Sequence, residues 1–256
     1  MNALVLTLLA AAVLPHAPAS PPPVGGQSPP PPPAAAPVVS AAKGEDVPAL
    51  VQRCVAAYGG KQALARAAVT RQDGRVTSLL HQGQDGRIVR AYVRPGKLRV
   101  ETQWPDGTGE VRVLDGGTGW RDGEQVSGPR LAAMILQAAR LDMPALLSAW
   151  VAKVEDRGTG EVDGKAVRIL SLQPAPGLVV QAEVEVATAR VLRSRGTSTD
   201  PGMPLAFETT YADFRKVDGV LVPFLERNWA NGRSTGETIL EKVTFPKTLP
   251  EVLFRP

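Results

Sequence analysis

Polar and apolar residues follow two different periods along this chain, and the switches between them mark its elements. Leu50, Val51, Cys54, Val55 and Tyr58 recur at intervals of three and four, the spacing that lines one face of an α-helix. Pro48 suits the first turn of that helix, and Gly59-Gly60 ends it. "KQALARAA" adds a further short turn of helix. From Val69 the period falls to two. "VTRQDGRVTSLL", "GRIVRAYVR", "KLRVETQW" and "GEVRVLD" read as strands separated by Asp-Gly and Pro-Gly turns. In the third of these, Leu98, Val100, Thr102 and Trp104 share one face while Lys97, Arg99 and Glu101 share the other, so one face is dry and one is wet.

The helical period returns in the middle of the chain. "GPRLAAMILQAARL" places Leu131, Met134, Ile135 and Ala138 on one stripe. "DMPALLSAWV" follows, with Asp142 as N-cap, Pro144 in the first turn, and Leu146, Leu147, Trp150 and Val151 facing inward. Alternation then resumes through "KAVRILSLQ", "LVVQAEVEV", "RVLRSRGTS", "LAFETTYADFRKV", "VLVPFLERNWA" and "STGETILEKVTF". The pattern predicts an α+β fold of roughly ten antiparallel strands around one helical insertion, beside an N-terminal helix. A sheet that wide must close, curl or split. If it curls, the apolar stripes of the helices can cover the concave face and leave an apolar cavity beneath them.

Composition separates the N-terminus from this folded part. Residues 3–14, "ALVLTLLAAAVL", are apolar but too short for a membrane-spanning helix, which needs ~20 residues. With Ala17-Pro18-Ala19 behind them they read as a signal peptide over 1–19, cleaved near Ala19-Ser20. No Lys or Arg precedes Lys43, so the basic start common to such signals is missing. If uncleaved, the segment would tether the protein to the inner membrane. Residues 20–44 are rich in Pro and Ala and predict a stiff, disordered linker. The folded domain is expected over 45–256.

Charge and chemistry narrow the function. The net charge of +4 is dispersed among acidic residues. No basic run interleaved with aromatics suggests nucleic acid, although a weak attraction to anionic membrane surfaces is compatible with the sign. The single Cys54 cannot form an internal disulfide and, on an apolar helix face, reads as a buried inert thiol. "ALVQRC" also lacks the small residues that precede a lipid-modified cysteine. There is no nucleophile elbow, phosphate loop, dinucleotide fingerprint or metal-ligand spacing. "LDGGTGW" and "RGTGEVDG" read as hairpin turns, Glu183 and Glu185 as a solvated strand face, and His81 as a surface residue. No catalytic residue, metal or cofactor is expected, and the sequence reads as that of a binding protein rather than an enzyme.

"YVRPGKLRV" ends one strand, turns at Arg-Pro-Gly and begins the next; "LDGGTGW" follows. Near the C-terminus come "YADFRKVDGVLVPF", "ETILEKVTF" and the closing Phe254-Arg255-Pro256. In this order the motifs resemble those of the LolA/LolB-like superfamily of periplasmic lipoprotein carriers, over nearly all of residues 45–256. The resemblance implies an open half-barrel with a helical lid over a cavity for acyl chains. It also implies a monomeric periplasmic carrier that takes part in lipoprotein or lipid transport to the outer membrane, working with membrane-bound donor and acceptor proteins. Arg94 matches the family arginine that holds the lid closed. Turn chemistry explains Pro95 and Gly96 equally well as the centre of a type II turn and leaves position 94 open. The long linker and the longer, more apolar lid depart from the soluble carrier.

A cavity of this kind selects ligands by volume and apolar surface, with each methylene contributing ~0.8 kcal/mol. The expected lining is Tyr92, Leu98, Val100, Trp104, Val113 and Trp120 from the sheet, with Met134, Ile135, Leu147 and Trp150 from the lid and Phe207, Tyr211 and Phe224 on the far side. Each of these also reads as plain core. The resemblance leaves two other roles open: a periplasmic sensor of the same fold (RseB-like) that binds a membrane-anchored regulator, and a structural envelope protein.

Overall fold

The computed structural model describes residues 45–256. The expected signal peptide and linker lie outside the described residues.

The first helix, α1 (Val47–Ala57), starts where Asp46 accepts a hydrogen bond from the Ala49 amide at 2.8 Å, and it buries Leu50, Val51, Cys54 and Val55. Gly59 turns the chain into α2 (Gly60–Arg66) with a φ of +103°. A Cβ at Gly59 would sit 2.1 Å from the Gly219 carbonyl oxygen, so no other residue fits there.

Six strands then run outward in order: β1 (Val69–Ser78), β2 (Gln84–Val93), β3 (Lys97–Gln103), β4 (Gly109–Asp115), β5 (Thr118–Arg121) and β6 (Glu124–Val126). Two helices follow, α3 (Gly128–Leu141) and α4 (Met143–Ala149). Seven further strands return: β7 (Glu155–Val162), β8 (Lys165–Ala175), β9 (Leu178–Glu185), β10 (Val191–Ser198), β11 (Ala206–Val217), β12 (Val220–Ala230) and β13 (Arg233–Thr244). All pairings are antiparallel, and the spatial order is β6-β5-β4-β3-β2-β1-β13-β12-β11-β10-β9-β8-β7. The first and last strands therefore meet at the centre, while β6 and β7 form the two edges.

The result is the expected curved, open half-barrel under a helical lid, but with thirteen strands rather than ten. The three unforeseen strands lie at the edges or next to one. β5 and β6 are short, and seven of the eight residues of β7 are exposed. An edge strand with no dry face carries no alternation, and its charged residues Glu155, Asp156 and Arg157 discourage further pairing.

The lid also differs from its expected packing. α3 buries Ala132, Met134, Leu136, Ala138 and Ala139 rather than one stripe through Leu131 and Ile135. Met134 and Ala138 pack with Ile88, Leu98, Val100 and Leu114, whereas Ala132, Leu136 and Ala139 pack with Leu170, Val180 and Ala182. The helix lies across the trough and is buried on both flanks. α3 and α4 meet at 86°, and α4 buries Met143, Ala145 and Leu147 against α1. Among the described residues no single helix is long and apolar enough to cross a membrane.

Glu183 and Glu185 do lie on the wet face, yet neither is solvated. Glu183 is only 1% exposed because Arg193 and Arg195 fold over it at 2.6 and 3.2 Å. His81 is not a free surface residue either, since its ring stacks on Trp104 with centroids 4.0 Å apart.

Cys54 is fully buried, and burial pushes its thiol pKa up to about 12. In native protein at pH 8 we expect no labelling of Cys54 by iodoacetamide, and complete labelling in denaturant. Fast native labelling would mean that α1 lifts from the sheet.

Candidate functional site

Inward positions on a strand are normally apolar, and β2 and β12 break that rule at one place each. Ile88, Arg90 and Tyr92 share a parity in β2, as do Val222, Phe224 and Glu226 in β12. Arg90 and Glu226 meet over the concave face across the two strands between them. Nη1 donates to Oε1 at 2.8 Å and Nη2 to Oε2 at 2.7 Å, with both side chains about 5% exposed. The intervening strands contribute Gln72 and Thr238, whose oxygens accept from Arg90 at 3.3 and 3.4 Å. Burial opposes the Arg90 charge, but Glu226 outweighs it and raises the arginine's pKa.

Beside this polar ridge lies a cavity of about 110 Å³. Its walls come from every layer: Tyr58 at the C-terminal end of α1, Leu64 of α2, Tyr92 of β2, Ala145 of α4, Tyr211 of β11 and Val222 of β12 are among them. Burial raises the pKa of all three tyrosines, keeping their hydroxyls neutral. The cavity is many times larger than the ~10–15 Å³ that one water needs. Its walls are predominantly apolar, interrupted by Arg90, Arg94, Arg140, Asp142 and Glu226.

Arg94 and Asp142 join the sheet to the lid. Asp142 sits at the bend between α3 and α4, where its backbone carbonyl accepts from Leu146 at 2.9 Å but its side chain caps no helix. The carboxylate faces Arg94 instead. Arg94 Nε donates to both carboxylate oxygens at 2.9 Å, Nη2 donates to Oδ1 at 2.6 Å, and Nη1 donates to the Leu64 carbonyl at 3.0 Å. One guanidinium at the end of β2 thus ties together the sheet, α2 and the lid. Burial holds the Asp142 carboxyl above the ordinary carboxylate range despite the neighbouring arginine. The Arg94–Pro95 peptide is cis and Gly96 has a φ of +79°.

The structure redistributes the expected lining. Tyr92, Arg94 and Tyr211 line the cavity. Leu98, Val100 and Met134 form packed core beside it, and Leu147 lies in the larger core with Trp150 and Phe207 against its margin. Ile135 touches both clusters. Phe224 belongs to a separate cluster with Ala63, Leu240 and Val243. Trp104 is buried at the strand end against Gly86 and His81. Val113 and Trp120 are on the opposite face of the sheet, covered by Leu249, Leu253 and Phe254 of the C-terminal segment. Sequence reasoning missed Tyr58, Gln72, Arg90, Arg140 and Glu226. The available signal was the charge at inward parity in β2 and β12.

Replacing Glu226 by Leu leaves Arg90 buried without its partner, and we expect this to cost about 3–5 kcal/mol in urea unfolding. The double variant Arg90→Met/Glu226→Leu should recover most of that loss. Equal losses in both variants would show that the pair is not coupled. For the lid tie, Asp142→Asn should remove about 1.5–3 kcal/mol of charge-assisted hydrogen bonding. Amides of residues 128–149 should then exchange ten- to a hundredfold faster, with β1 and β13 unchanged. Unchanged lid exchange would mean that packing alone holds it.

No family model and no curated protein sequence matches the chain. Among solved structures, a LolA superfamily protein from Nitrosomonas europaea superposes with a TM-score of 0.52 at 11% identity, over 80% of this chain and 96% of that one. A domain from Vibrio parahaemolyticus described as outer membrane lipoprotein-sorting gives a TM-score of 0.48 at 14% identity, over 80% and 97% of the two chains. A DUF1329 family protein from Desulfovibrio piger gives 0.45 at 13%, over 82% and 97%. At such identities the likeness is one of fold: the described residues form a lidded, LolA-like half-barrel.

Proposed function

We propose that the protein is a periplasmic carrier that takes the acyl chain of a lipid or lipoprotein into the space between sheet and lid. The observation that carries this reading is the mostly apolar cavity under a lid whose bend is tied to the sheet by one ion pair, Arg94 with Asp142. The fold it shares with a LolA superfamily protein supports the same class.

Magnitudes decide whether such a lid can work. The cavity of about 110 Å³ is close in size to engineered cavities of ~150 Å³ that hold benzene. It is far smaller than a whole acyl chain requires, so uptake means lifting α3 and α4. The tie resists lifting by about 1.5–3 kcal/mol. Ten buried methylenes return ~8 kcal/mol, so a long chain outweighs the tie and a short one does not. Lifting the lid also uncovers Leu136, Met143 and Leu147, so a chain holds it open only where it is long enough to cover them again. The apolar, signal-like residues 3–14 and the Pro-rich residues 20–44 support the reading of an exported protein.

Ala145 lies in α4 and lines the cavity, so Ala145→Phe fills the space from the lid side. We expect uptake of a fluorescent long-chain acyl probe by the parent protein, and at least tenfold weaker uptake by Ala145→Phe. No uptake by the parent protein, together with no lipid in native mass spectra of protein exported in cells, would refute the carrier reading.

A further inference from the structure

The charges on the cavity wall do not balance. Five ionic side chains line it: Arg90, Arg94, Arg140, Asp142 and Glu226. Asp142 is held by Arg94 through both carboxylate oxygens, and Glu226 by Arg90 through both of its own. That leaves Arg140. Its Nε is shut off from solvent and has no hydrogen-bond partner among the described residues. Its guanidinium lies over the Phe207 ring at 5.7 Å, a contact that accommodates a cation without neutralising it. The groups around it act in both directions: burial opposes the Arg140 charge most, Tyr211 and Glu226 favour it, and Arg90 and Arg112 oppose it. Glu226 is already held by Arg90, and Arg112 by Glu110 at 2.7 Å and Gln137 at 3.0 Å. A guanidinium stays protonated, and Arg140, half-buried with its Nε enclosed and unpartnered, has no acid of its own. The apolar cavity beside it therefore contains one positive charge in search of a negative one.

The geometry points to an acyl ligand that brings that charge: a long-chain carboxylate whose head group pairs with Arg140 while its chain lies under the lid. This rests on the carrier reading and specifies its ligand class. One surplus cation fits a singly charged head. A carboxylate can take two parallel N–H···O bonds from the fork of a guanidinium, a match of shape as well as charge. The same surplus disfavours a neutral chain, which would leave Arg140 unpaired after the lid has expelled water from around it. The site then discriminates among lipids by one ion pair, with the apolar walls contributing affinity but no selectivity.

The test uses the full chain and displacement of a bound fluorescent acyl probe by hexadecanoate or hexadecanol, which differ only in the head group. We expect hexadecanoate to displace the probe at about tenfold lower concentration than hexadecanol, and acetate to leave it in place. Arg140→Met should abolish the difference between acid and alcohol, and Arg140→Lys should preserve part of it. Equal displacement by acid and alcohol in the parent protein, an undiminished preference in Arg140→Met, or displacement by acetate would overturn the proposal while leaving the carrier reading intact. Failure of the probe to bind the parent protein at all would remove both. Should Arg140→Met fold poorly, the acid-to-alcohol comparison in the parent protein and in Arg140→Lys still decides the matter.

Discussion

The chain leaves the sheet at one edge and re-enters it at the other, and most of the molecule's architecture follows from that crossing. β6 and β7 are the two edge strands, so residues 127–154 must traverse the whole width of an open, curved sheet. The concave face offers the short route, and it is also the face that must be covered. A crossing segment that is helical and apolar on both flanks meets both needs, which is why α3 touches β4 and β5 with one side and β8 to β10 with the other. Two short helices cannot fill a trough thirteen strands wide. α1 and α2 cover part of the remainder, and the cavity is the gap left where the four helices come together.

That gap falls near the seam where β1 and β13 join the first and last parts of the chain. A seam built from strands distant in sequence carries the largest loop-closure cost, and here it is spanned by the Arg90–Glu226 pair with Gln72 and Thr238 between them. Such a pair is weak evidence for stability, because well-packed apolar residues of the same volume do as well or better. Its geometric effect is clearer. Cross-strand neighbours Arg90 with Gln72 and Glu226 with Thr238 put a rigid polar ridge on one side of the cavity. Side chains held by several hydrogen bonds cannot swing in to fill the space, whereas Leu or Met at these positions could.

Much of the fold was legible because burial writes a period into the sequence. The helices, ten of the strands and the inert Cys54 all follow from alternation or from the 3.6 repeat. β5, β6 and β7 were not legible: β5 and β6 have four and three residues, too few to show a period, and β7 is exposed at seven of its eight residues and has none. Face assignment failed for a different reason. In β4 the alternation is real, with Val111 and Val113 on one side and Arg112 and Leu114 on the other, and it suggests that the valines face inward. The register says otherwise. Leu98 pairs with Leu114 and Val100 with Arg112, so the valines face outward beneath Phe254 and the C-terminal segment. Periodicity identifies two faces within a strand, but only pairing tells which of them is concave. Arg94 was legible as a position without a turn-chemistry explanation; its partner Asp142 was read as a helix cap, because a carboxylate before a helix serves either purpose.

A carrier must release what it binds, and this imposes a limit that an entirely apolar trough does not respect. At ~0.8 kcal/mol per methylene, a closed oily cavity binds a long chain too tightly to hand it on within a useful time. Two features of the cavity work against such a trap. It is small, so in the proposed carrier a long chain would compete with the lid for the same volume, and the Arg94–Asp142 tie would favour the lid. Arg90, Glu226 and Arg140 also interrupt the apolar walls, so part of any chain lies against charged groups that contribute little to its burial. For the carrier proposed above, these features would lower the cost of letting go at the place where the ligand enters, with the Arg94–Asp142 pair at the bend of the lid setting the balance.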